Sequence, residues 1–118
     1  MGLLEETEKI YEGFGGLIKP CIEENRISDA LEAVEHLVFY LRSQLKRYAY
    51  YHSGISFVAS AIRLKEELEH DPSCVKDQII KFEMNLRQLQ LAIKSDNKYN
   101  DPFLFDFSSS FNRNIYIL

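Results

Sequence analysis

Few residues in this chain combine a reactive side chain with a spacing that chemistry needs. The histidines are His36, His52 and His70, and the thiols are Cys21 and Cys74. Glu67 and His70 form Glu-x-x-His, half of the ligand set of a di-iron bundle. A complete site takes two such pairs and two further Glu, whereas Glu32 and His36 are spaced by four. Glu66 to His70 therefore reads as a solvated helix end, and His36 as a residue bordering an apolar stripe. Neither cysteine lies in a Cys-x-x-Cys pair or has His at zinc-finger spacing. Gly13-Phe14-Gly15-Gly16 lacks the Lys-Ser/Thr of a phosphate loop, and no Ser is set in a nucleophile elbow. No metal and no cofactor is expected, and enzymatic activity is disfavoured.

Arg47 and His52 are spaced as Arg-x4-His. This resembles the catalytic signature of HEPN-domain ribonucleases, which are also small helical bundles. The resemblance implies metal-independent RNA cleavage at a dimer interface, with Arg47 and His52 as the catalytic pair. It covers six residues. The position after the Arg, usually polar in that family, is Tyr48 here, and the motif lies mid-chain rather than on a late helix.

Charge is unevenly spread. Residues 1–36 hold nine acids and three bases, residues 37–65 no acid and five bases, and residues 66–118 nine acids and six bases. Tyr40, Arg42, Lys46 and Tyr50 fall in the basic window. Arg42, Lys46 and Tyr50 are four apart, so an unbroken helix would carry them on one exposed stripe. Such a stripe suits an anion or stacked bases. The preferred reading is that the acidic first helix packs alongside and neutralises it, because nucleic-acid binders carry more clustered bases and a positive domain. With a net charge of −4, a basic protein partner fits better than nucleic acid.

These residues must be positioned by helices. Ile27, Leu31, Val34, Val38, Leu41, Leu45, Tyr48 and His52 recur at steps of four and three, one face of a helix. A helix from Ser28 to His52 would be about 37 Å long. Ser28 or Asn25 is its candidate cap, and His52-Ser53-Gly54 its natural stop. Before it, an amphipathic helix over the first dozen residues should end or loosen at Gly13, Gly15 and Gly16. After it, Ile55, Val58, Ala59, Ile62 and Leu68 predict a helix over 55–70, with a continuous rod through Gly54 as the alternative. Asp71-Pro72-Ser73 is a boundary. Val75, Ile79, Phe82, Leu86, Leu89 and Ile93 make a second seam, ending near Ser95-Asp96-Asn97, which should pack against the first.

The final stretch has a different pattern. Phe103, Phe105 and Phe107 alternate with Leu104 and Asp106, and Phe111 and Tyr116 follow. Period-two spacing predicts an extended, non-helical segment that packs on the bundle, a second copy or a partner. The chain thus divides into a helical bundle, 1–98, and an aromatic C-terminal extension, 99–118. No apolar run approaches a membrane span of ~18 residues, and the acidic start is a poor signal peptide. A cytoplasmic location with reduced thiols is expected. The fold read from these patterns is all-α, an antiparallel bundle of about four helices. The expected function is protein–protein binding by a self-associating acidic module. It would be an adaptor, or an immunity- or antitoxin-type inhibitor covering a basic partner. Its contact residues would be Tyr40, Arg42, Lys46, Tyr50, Phe103, Phe105, Phe107, Phe111 and Tyr116.

Overall fold

Backbone between residues 2 and 99 is described by a computed structural model, with side chains through Asp96. Met1 and residues 100–118 lie outside the described residues, and so do the expectations placed on Phe103, Phe105, Phe107, Phe111 and Tyr116. The elements are α1 (Leu3–Gly13), a π turn (Phe14–Ile18), α2 (Lys19–Glu23), α3 (Ile27–Ser43), α4 (Leu45–Ala49), α5 (His52–His70), a 3-10 turn (Pro72–Cys74) and α6 (Val75–Tyr99). There is no strand among the described residues.

The glycines at 13, 15 and 16 loosen the first helix without ending it. Gly13, Phe14, Ile18 and Lys19 all keep right-handed helical angles. The hydrogen-bond step is what widens, since the Lys19 N–H donates to the carbonyl of Phe14, five residues back. Such a π bulge adds a residue to one turn, and here Phe14, Ile18 and Cys21 are all buried. Pro20, with no N–H to leave unpaired, sits in the first turn of α2. Asn25 then takes φ 60, a left-handed conformation that Asn tolerates better than most residues. Asn25 therefore belongs to the turn out of α2. Neither it nor Ser28 caps α3, whose N-cap is Arg26 with no side-chain cap bond.

The rod expected from Ser28 to His52 is broken twice. α3 stops at Ser43, and Gln44 has φ −109 and ψ 20. After α4, Tyr51 is extended at φ −103 and ψ 138, and α5 starts at His52. Val34, Val38, Leu41 and Tyr48 stay buried across the first break, but Leu45 is turned out to 45% exposure. His52, on the far side of the second break, is exposed. Gly54 does not stop a helix; it lies in the first turn of α5. A Cβ built on it would overlap the Tyr48 carbonyl oxygen, so a bare backbone here is what lets α4 lie against α5. The Asp71-Pro72 boundary does stand, although α6 starts at Val75, after a 3-10 turn.

α3 packs on α5 and on the α2–π-turn segment, and α6 packs on α5 and α1. Glu6 meets Arg47 and Lys19 meets Glu83, while Tyr51 meets Asp96, so successive long helices run in opposite directions. The result is an up-down-up-down four-helix bundle, with α1, the π turn and α2 acting as one arm. α3 and α6 occupy diagonal corners. Their seams are both buried, but each helix leans mainly on α5 and the first arm, which corrects the expected direct pairing. Through the centre runs an aromatic chain: Phe14 to Phe82 at 4.5 Å between centroids, Phe82 to Phe57 at 5.1 Å, Phe57 to Tyr48 at 6.1 Å.

Gly54→Ala tests the close approach. On an open helix the change would stabilise by up to ~1 kcal/mol. Here it should cost about 1–3 kcal/mol, as overpacking does, read by urea denaturation. An unchanged or raised midpoint would contradict the contact.

Candidate partner-binding site

The alternating topology brings the first part of the basic window, with Arg42, Lys46 and Arg47, to one end of the bundle; Arg63 and Lys65 lie farther along α5. That end comprises the start of α1, the close of α3, all of α4, the start of α5 and the close of α6. Its centre is a carboxylate. Glu6 Oε2 lies 2.7 Å from Arg47 Nη1, and Glu6 Oε1 accepts a hydrogen bond from the Tyr48 hydroxyl at 3.1 Å. Arg47 Nη1 also donates to Gln44 Oε1 at 2.9 Å. Burial pushes the Glu6 carboxyl upward. Contacts with Arg47, Tyr40 and Tyr48, together with the Arg47 charge, outweigh it and hold the group below its ordinary value of 4.5. The Tyr40 phenol is raised in turn, chiefly by its contact with Glu6. Tyr48, fully buried, is pushed far above the ordinary phenol range by burial and then by the Glu6 charge.

A second link closes the same end. The Tyr51 hydroxyl donates to Asp96 Oδ2 at 2.9 Å. Burial first, and then this bond, push the Tyr51 phenol up to about 12. Tyr50 stands edge-on against Tyr51, with centroids 5.0 Å apart, and is itself 73% exposed. Tyr40 is 39% exposed, and Arg42 and Lys46 are exposed. Among the described residues neither Arg42 nor Lys46 takes part in an ion pair. The acidic first helix thus neutralises Arg47 and leaves Arg42 and Lys46 open. The break at Gln44 separates Arg42 on α3 from Lys46 and Tyr50, so the three do not form a single helical stripe. They share an end of the bundle.

Arg47 and His52 of the Arg-x4-His spacing fall in different elements, α4 and the first residue of α5. Arg47 is engaged by Glu6 and Gln44; the His52 side chain is exposed and makes no hydrogen bond among the described residues. The thiols are set in unlike places. Cys21 is buried, and Cys74 is exposed with its thiol donating to Asp71 Oδ2 at 3.2 Å. That bond to a carboxylate raises the Cys74 pKa, which disfavours the thiolate a nucleophile requires. Among the described residues no group of three or more His, Cys, Asp or Glu is placed to hold a metal ion, and no helix is long and apolar enough to cross a membrane. The opposite end of the bundle gathers Glu23, Glu24, Asp29, Glu69, Asp71 and Asp77, all exposed.

Sequence reasoning missed Glu6 and Asp96. Each joins a tyrosine more than forty residues away, and only the packed topology reveals the pairing. No protein-family model, curated protein or solved structure matches this chain.

Because the Glu6 pKa is depressed in the fold, its contribution is full above about 4.5 and is lost as pH falls through the lower folded value. Glu6→Gln should therefore cost on the order of 1–3 kcal/mol at neutral pH, since hydrogen bonds to a charged group are lost and half-exposed Arg47 tempers the pairing. The gap between parent and variant should close on acidification, as measured by denaturant melts at several pH values. A gap that stays constant down to strongly acidic pH would rule out the charged carboxylate as its source.

Proposed function

We propose that this chain is a protein-binding helical module whose α4 end is the contact surface. The observation that carries the reading is Tyr50: a large aromatic, 73% exposed, set edge-on against a tyrosine that is itself tied to α6. Tyr and Arg are the side chains that most often anchor interfaces, and a ring held in place before binding loses little entropy on docking. Leu45 and Ile55, 45% and 50% exposed, add apolar area nearby, and Arg42 and Lys46 add uncommitted positive charge. A partner suited to this end offers an apolar pocket rimmed by carboxylates. The acidic opposite end suits a basic surface. A module with two ends of different chemistry fits an adaptor, and the acidic end alone fits an inhibitor that covers a basic protein.

An RNA-binding reading draws on the same uncommitted cations beside an exposed ring. The two separate by salt. Neutralising phosphates makes affinity fall steeply and linearly in log salt, whereas an aromatic anchor is little affected.

The test is affinity capture with the full chain, followed by titration of the captured protein. Tyr50→Ala should weaken binding by about thirtyfold, the equivalent of a 2 kcal/mol anchor, and the change should persist at high salt. If Tyr50→Ala and Arg42→Glu bind as the parent does, the contact surface is elsewhere. RNA retained in place of a protein, with a steep salt slope, would favour the other reading.

A further inference from the structure

The bundle face where α5 meets α6 carries a polar cleft of about 270 Å3. Ser56, Ala59, Ser60 and Arg63 line it from α5, and Gln78, Lys81 and Asn85 from α6. The short side chains at 56, 59 and 60 leave the depression, and the long ones of Arg63 and Lys81 edge it. Although the chain holds 18 acids against 14 bases, no carboxylate lines this cleft. Acids are within reach on the same helices. Glu67 comes four residues after Arg63 and Asp77 four before Lys81, a spacing at which helical ion pairs form. Among the described residues, neither cation takes part in one. Gln78 adds a second, independent sign. Its Oε1 is sealed from solvent without a hydrogen-bond partner, a costly state for a buried acceptor. The residue as a whole is half-buried, so the end of the amide left to the cleft is its NH2, which only donates.

We propose that this cleft binds the phosphate group of a small, soluble phosphate monoester. What it offers a ligand is a set of donors: the Arg63 guanidinium, the Lys81 ammonium and the Gln78 NH2, with the Ser56 hydroxyl and the Asn85 amide beside them. The Ser60 hydroxyl already donates to the Phe57 carbonyl at 2.7 Å and only shapes the floor. Two cations match the charge of about −1.5 to −2 on a phosphate monoester at neutral pH, and the neutral donors match its three acceptor oxygens. A carboxylate brings one charge and two oxygens, and would leave half of this set unused. Arg63 can grip two oxygens at once through its planar fork, and Lys81 acts as a point charge. Size sets the rest of the ligand. A cleft of about 270 Å3 lies below the ~300–1,000 Å3 of pockets for drug-sized molecules, which suits a phosphorylated sugar.

Amide NMR of the full chain, titrated with ribose 5-phosphate at constant ionic strength, tests the site. The expected result is a saturable set of shifts centred on residues 56–63 and 78–85, with none that saturate when acetate is the probe. Arg63→Gln and Lys81→Gln, both at exposed positions, should each weaken binding by about tenfold, while Lys9→Gln on α1 should leave it at the parental level. Gln78→Met removes the donor and the orphaned oxygen together, so it should weaken binding severalfold without lowering the melting temperature. No saturable shift, acetate bound as tightly as ribose 5-phosphate, or affinity unchanged in Arg63→Gln and Lys81→Gln would each overturn the assignment. So would shifts at these residues that appear only with single-stranded RNA.

Discussion

Tyr48 is the residue on which the bundle closes. Its ring is sealed from solvent and leans on Phe57, which leans on Phe82, which leans on Phe14. Its hydroxyl reaches Glu6 on α1, in the arm that also carries Phe14. The same tyrosine thus ties α4 to α5 and α6 through stacked rings and to α1 through a charged hydrogen bond. Its carbonyl meets the bare backbone of Gly54, which sets the direction in which α5 leaves. A buried phenol must find a partner for its hydroxyl, and the partner is a carboxylate kept ionised by Arg47.

The α4 end follows from this closure. With the chain broken at Gln44 and again at Tyr51, Tyr48 stays in the core while Leu45 and Tyr50 are exposed. The exposed aromatic and basic residues sit on and beside a short helix whose neighbourhood is braced from both sides, by Glu6 on α1 through Arg47 and Tyr48 and by Asp96 on α6 through Tyr51. A braced aromatic surface of this kind suits docking, which favours groups already fixed in place.

Much of the fold was legible from periodicity. The seam of α6, the first seam as far as Leu41, the first amphipathic helix and the Asp71-Pro72 boundary all carry local signals that the structure bears out. The breaks in the central helix were not legible, because residues 27–52 contain neither Gly nor Pro and each is compatible with helix. The wrong punctuation was read at Gly54, since a glycine required by a neighbouring carbonyl looks, in sequence, like a glycine that ends a helix. At Asn25 the error was one of role, because Asn serves both as an N-cap and as a left-handed turn residue. In the candidate site, the exposure of Arg42, Lys46 and Tyr50 could be anticipated from spacing. The engagement of Arg47 by Glu6 could not, as it depends on which arms become neighbours.

The claim that Tyr48 closes the bundle is tested most directly by Tyr48→Phe, followed by urea denaturation and amide exchange. The ring stack survives this change, so only the hydroxyl link to Glu6 is removed. The account predicts a loss of about 1–3 kcal/mol, the usual cost of leaving a buried charged acceptor short of a donor, with amide exchange accelerated most in α4 and the first turn of α5. A variant as stable as the parent, with α4 exchanging at the parental rate, would contradict it.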